Sequence, residues 1–130
     1  MRDFREDRTM AKTILIIDDS SSMRQLVEFT LKNAGFTVIV SVNGKDALTK
    51  LGGAKLDLVI TDLNMPEMDG IEFIKQFKGT TGNRFTPIIM LTTESQAAKQ
   101  EEGRNAGASG WIIKPFSPDQ LLETVNRFAK

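Results

Sequence analysis

The chain has 130 residues, one domain by length, and at that size roughly two thirds of the unfolded surface can be buried without a staple. It contains neither cysteine nor histidine, which excludes disulfides, thiolate or imidazole metal sites, Ser-His and Cys-His triads, and a phosphohistidine on this chain. Its 17 basic and 17 acidic residues balance, which argues against nucleic acid or an anionic membrane as the main partner.

Residues 1–11, "MRDFREDRTMA", mix charges around one aromatic and show no period that buries a face. They read as a flexible N-terminal extension to a domain at 12–130, with Met10 as an alternative start. No apolar run approaches the ~20 residues that span a bilayer, and the N-terminus lacks the apolar core of a signal peptide. A soluble, cytoplasmic protein is the expectation.

From there two periods alternate. The aliphatic runs "TILII" (13–17), "TVIV" (37–40), "DLVI" (57–60), "PIIML" (87–91) and "WII" (111–113) are short and rich in β-branched residues, as strands covered on both faces are. Helical stripes lie between them. Residues 21–34 place Met23, Leu26, Val27, Thr30, Leu31 and Ala34 on one side, and Gly35 ends the helix. Residues 44–51 offer Ala47, Leu48 and Leu51, and residues 70–78 offer Ile71, Phe73, Ile74 and Phe77 behind a capping Asp69. "SQAAKQEEGRNA" (95–106) has no apolar side chain larger than alanine and carries Gly103 within it. Alanines anchor a helix weakly at ~25 cal/mol per Å² of apolar burial, so this is the helix expected to be held least firmly. The last helix opens on "SPDQ", with Ser117 as cap, Pro118 at the first helical position and Gln120 closing a capping box. Its stripe is Leu121, Leu122, Val125 and Phe128.

Five strands alternating with five helices predict an α/β fold, a doubly wound five-stranded parallel sheet. A flavodoxin-like (βα)5 arrangement in the order 2-1-3-4-5 puts its switch point between strands 1 and 3. Strand 1 then delivers Asp18 and Asp19, and strand 3 delivers Asp62, to one crevice. Two carboxylates ~4 Å apart repel by ~4 kcal/mol at an effective dielectric near 20. Such a group shares a site only around a cation or by holding protons. Without histidine or cysteine the ligands are oxygens and the metal is hard, magnesium sooner than calcium. Strand 4 adds the Thr92 hydroxyl and strand 5 the Lys114 ammonium. A metal, a hydroxyl and an ammonium are what a phosphoryl group's equatorial oxygens need, with Asp62 as the nucleophile that forms an acyl phosphate. Taken singly, each acid reads as a cap or turn residue, and Thr92 and Lys114 as ordinary strand-end residues. The convergence of four strand ends carries the reading.

The segments "IIDDSSSMR", "DLNMPEMDG", "LTTE" and "GWIIKPF" together resemble the receiver domain of two-component response regulators, of the chemotaxis single-domain type, over about residues 12–130. The resemblance implies Asp62 as phosphoacceptor, Asp19 as direct Mg²⁺ ligand, Asp18 acting largely through bound water, and Asn64 giving its backbone carbonyl to the metal. Thr92 and Lys114 bind the phosphoryl oxygens, and the Lys114–Pro115 bond is cis. The implied donor is a phosphohistidine on a sensor histidine kinase, followed by self-catalysed hydrolysis, so the protein is a phospho-switch and not an enzyme with an external substrate. Thr92 and Trp111 match the switch pair, Trp111 standing where tyrosine or phenylalanine is more usual. Asn64 and Glu94 match the positions that tune phosphoryl lifetime. The expected output is a downstream protein bound on the face of residues 95–106, 111–114 and 117–129, by a monomer or weak dimer without nucleic acid or membrane. A phosphorelay intermediate is the alternative; a haloacid-dehalogenase-type phosphatase is disfavoured by Asn64, an FMN carrier by the anions after strand 1, and a degenerate receiver by the complete residue set.

Overall fold

The structure, a computed structural model, describes residues 11–51, 55–80, 82–93 and 95–129. Five strands and five helices alternate: β1 (Thr13–Ile17), α1 (Ser21–Asn33), β2 (Thr37–Ser41), α2 (Gly44–Leu51), β3 (Leu58–Thr61), α3 (Gly70–Lys78), β4 (Ile88–Thr92), α4 (Ala97–Ala106), β5 (Gly110–Ile113) and α5 (Pro118–Phe128). The strands are parallel in the order β2-β1-β3-β4-β5, as expected for the doubly wound flavodoxin-like class.

Side-chain alternation along each strand divides the core in two. Leu15, Ile17, Val59, Ile88 and Met90 pack with Ala47 and Leu51 of α2 and with Ile71, Phe73, Ile74 and Phe77 of α3. Ile14, Ile16, Leu58, Ile60, Ile89 and Leu91 pack with Val27 and Leu31 of α1 and with Leu121 and Val125 of α5. The sheet is thus covered on both faces, which is why its strands read as unbroken aliphatic runs.

The helix ends follow from local chemistry. Ser20 caps α1 by accepting from the Met23 N–H, and Asp69 caps α3 by accepting from the Glu72 N–H at 2.8 Å. Ser117 and Gln120 form the predicted capping box of α5 around Pro118. Gly35, at φ 99°, lets the Phe36 and Gly35 amides bond back to Leu31 and Lys32 carbonyls and so stops α1.

Two expectations need correction. The α1 stripe is narrower than its periodicity predicts: Val27 and Leu31 are buried, but Leu26 and Ala34 are exposed, because α1 packs chiefly on the sheet and α5. The helix expected from residue 95 starts at Ala97, with Gln96 as an extended cap residue that makes no side-chain cap bond. Gly103 alone among the residues of α4 is buried. The extension expected at 1–11 lies, except for Ala11, outside the described residues.

Candidate functional site

In a parallel sheet every strand ends at the same edge, and the register fixes which ends meet. Ile17 of β1 pairs with Thr61 of β3, so the next residues, Asp18 and Asp62, emerge side by side. The Asp62 amide still donates to the Ile17 carbonyl, at 2.9 Å. Across the sheet Thr92 pairs with Ile113, and the Lys114 amide donates to the Thr92 carbonyl at 2.9 Å. Thr92 and Lys114 are thereby brought to the same end as the acids.

Carboxylate oxygens of Asp18, Asp19 and Asp62 all lie within 4.8 Å of one another. Asp18 and Asp62 are buried, at 2% and 9% exposure, while Asp19 opens to solvent. The Lys114 ammonium reaches both buried acids, at 2.8 Å from Asp18 Oδ2 and 3.4 Å from Asp62 Oδ2. One ammonium against three carboxylates leaves the cluster with an excess of two negative charges, a net attraction for a divalent cation. The donor set fits magnesium. Octahedral coordination at 2.0–2.1 Å places cis oxygens ~2.9 Å and trans oxygens ~4.2 Å apart, so three carboxylates that meet within 4.8 Å would hold one ion by drawing together or through bridging water, for which the exposed side leaves room.

Each carboxylate is held by its own backbone. Asp18 Oδ1 accepts from the Ser20 N–H at 2.9 Å, closing an Asx turn, so neither Asp18 nor Asp19 serves as the cap of α1. Asp62 Oδ1 accepts from the Leu63 N–H at 2.7 Å. The Thr61 hydroxyl donates to the Asp62 carbonyl at 3.0 Å, and Thr92, two residues past the Met90 that pairs with Thr61, is buried. The Lys114–Pro115 bond is cis.

Three candidates remain, Asn64, Trp111 and Glu94. Asn64 is exposed in the β3–α3 loop, two residues past Asp62. Trp111 is half-buried on β5 and packs at the margin of the α2–α3 core. Glu94 lies outside the described residues.

Three contributors escaped the sequence reading. Arg24 on α1 donates from Nη1 to the Asp18 carbonyl at 2.7 Å, tying that helix to the acidic turn. Glu67 stands at φ 69° in the β3–α3 loop, where the Asn43 amide reaches its carboxylate at 3.3 Å. Gly70 opens α3 so close to the site that a Cβ there would lie 2.4 Å from the Asp62 carbonyl oxygen. The glycine directly after the capping Asp69 was the one signal available for this last contact.

A family model described as the response regulator receiver domain matches residues 14–126. The chain is 38% identical over 112 residues to the chemotaxis protein CheY1 of Helicobacter pylori, covering 85% of this chain and 90% of that protein. It is 36% identical over 116 residues to the transcriptional regulatory protein ResD of Bacillus subtilis; there it covers 89% of this chain but spans only 47% of the relative's length. Among solved structures, the Vibrio cholerae chemotaxis protein CheY4 superposes with a TM-score of 0.87 at 45% identity, covering 91% of this chain and 98% of that one.

Proposed function

The chain belongs to the response regulator receiver family, and from that premise we propose that it is a phospho-switch whose phosphoacceptor is Asp62. Receiver domains take a phosphoryl group from histidine kinases, bind Mg²⁺ at an acidic pocket and act on downstream targets. The observation that carries the assignment to these residues is the meeting of Lys114 with Asp18 and Asp62, from strand ends far apart in sequence.

In this reading Asp18, Asp19, Asp62 and the Asn64 carbonyl hold Mg²⁺, which neutralises charge on the phosphoryl oxygens when bound. A carboxylate oxygen of Asp62 attacks phosphorus in line, forming a P–O bond as the P–N bond to the donor imidazole breaks. The Lys114 ammonium and the Thr92 hydroxyl take the equatorial oxygens as charge develops there. Hydrolysis reverses the bookkeeping: water attacks phosphorus and the Asp62 carboxylate leaves. Asn64 and Glu94 are the positions assigned to tuning this step, and a lifetime of seconds to minutes is expected.

Thr92 and Trp111 form the switch. Output leaves through a partner protein on the face of α4, β5 and α5. The likeness to chemotaxis proteins over 90% and 98% of their own lengths supports chemotaxis signalling as the process. No helix among the described residues is long and apolar enough to cross a membrane.

The deciding experiment is a titration with Mg²⁺ and beryllofluoride, a phosphoryl mimic, followed by the emission of the single tryptophan beside Asp62→Ala. A response in the parent that the variant lacks supports the reading. Absence of any response in the parent, or turnover of generic phosphate esters, sinks it. The lifetime is refuted separately if purified phosphoprotein survives more than an hour in Mg²⁺.

A further inference from the structure

Helix α4 lacks large apolar side chains, and its buried residue is a glycine. The reason lies on β5. A Cβ built on Gly103 would sit 2.9 Å from Trp111 Cζ3, with Cη2 and Cε3 at 3.7 and 3.8 Å, so the indole occupies the space a side chain at 103 would take. A contact under 3.0 Å forces movement, and the atoms that must give are the far edge of the Trp111 ring. The same residue also closes the helix. The Gly103 carbonyl accepts from Ala108 N–H at 3.0 Å while Gly107 N–H bonds the Arg104 carbonyl, the paired pattern of a Schellman stop, with Gly107 at φ 126°. One backbone unit therefore seats the tryptophan and anchors the turn that leads from α4 into β5.

We infer that Gly103 is a latch residue: its missing side chain forms the seat that holds the Trp111 indole against α4 in the resting protein, and leaving that seat is part of the switch. This deepens the phospho-switch reading and rests on it. A ligand shifts a two-state equilibrium only by what it, or the groups it moves, gain in one state over the other. The indole against Gly103 is a contact that the resting arrangement has and an inward-turned tryptophan lacks. Beyond its packing on α3, α4 has few other holds: its ion pairs, Lys99–Glu102 and Arg104–Glu101, are exposed and internal to the helix. Loss of the indole would leave Ala106 as its main apolar hold on the core. A receiver with a bulkier residue at 103 could not seat a tryptophan in this way. The glycine, costly within a helix, is explained by the aromatic it faces.

Gly103→Ala tests this. The added methyl evicts the indole, so resting tryptophan emission moves toward the value the parent reaches at saturating beryllofluoride. The midpoint of the beryllofluoride titration falls about tenfold, because the seat no longer opposes the change. Hydrogen exchange at residues 97–106 accelerates although alanine favours helix. Trp111→Phe removes the atoms that clash, so Gly103→Ala in that background slows exchange in α4 and raises the melting temperature. Unchanged resting emission, a midpoint that stays or rises, or the same response of α4 in both backgrounds overturns the latch. If the parent itself ignores beryllofluoride, the phospho-switch reading fails, while resting emission and exchange in Gly103→Ala still decide whether the seat exists.

Discussion

The Lys114 ammonium lies closer to Asp18, at 2.8 Å, than to Asp62, at 3.4 Å. The cation that ties strand 5 to the site is held mainly by the acid of strand 1, which is the more deeply buried of the two. Its removal therefore leaves the buried Asp18 carboxylate without its counter-charge, whatever else it does at Asp62.

Lys114→Ala should for that reason be destabilising. Breaking a buried pair from one side costs ~3–5 kcal/mol, and the lower end applies because Asp19 leaves the cluster open to water. Mg²⁺ should restore part of the loss, since it supplies positive charge where the ammonium was. Urea unfolding with and without Mg²⁺ measures both; an unchanged midpoint would show that the pair contributes nothing.

Asp62→Asn should lose phosphoryl uptake from a small-molecule donor or a kinase to background while keeping the fold. One carboxylate fewer in the cluster also weakens cation binding, so the rise in melting temperature produced by Mg²⁺ should shrink. Phosphate labelling and thermal melts give the two readouts, and uptake at parental level would move the acceptor to another residue.

Gly70→Ala places a methyl 2.4 Å from the Asp62 carbonyl and 3.1 Å from Leu63 Cα, both backbone, so neither can simply rotate away. A cost of about 1–3 kcal/mol is expected, with slower phosphorylation because the strain acts on the acceptor's own peptide. Gly79→Ala is the control: its nearest neighbour would be at 3.4 Å, an ordinary contact, and it should alter neither property.

Asp46 gives a pH signature separate from the site. The Ser41 hydroxyl, donating at 2.8 Å, holds this carboxyl below its ordinary value; partial burial opposes the shift, and the Lys50 ammonium and Val42 N–H reinforce it. A depressed pKa in the folded state means that stability is fully present above the unfolded value of 3.8 and is lost as pH falls through the folded value. Asp46→Asn should flatten the acid limb of the stability curve from pH ~5 downward, through and below the unfolded value of 3.8. Urea midpoints across that range check it, and parallel curves for parent and variant would refute it.

Much of this was legible in the sequence because burial on both faces leaves a strong mark. The run 13–17 is β1 to the residue, the runs at 37, 57, 87 and 111 shift by at most one residue at either end, and the helices at 44–51 and 70–78 keep their limits. The strand-end residues Asp18, Asp62, Thr92 and Lys114 meet because order and register together bring their ends to one edge. What escaped depends on distance in space without a period in sequence. Nothing in "SSSMR" announces that Arg24 bonds the Asp18 carbonyl. Leu26 sits at helical spacing with Val27 and Leu31 but finds no neighbour to cover it. Gly103 reads as a weakness within α4, and becomes intelligible only when Trp111, eight residues on, is seen filling its place.

The alternation that sends Leu58 and Ile60 to one core and Val59 to the other has a bearing on quality control. A slip of β3 by a single position would exchange those cores and, in the same step, carry the aspartate after Thr61 out of line with Ile17. If Asp62 is the acceptor, mispaired molecules are inert as well as unstable. The fraction of a preparation that accepts phosphate becomes a measure of its folding fidelity.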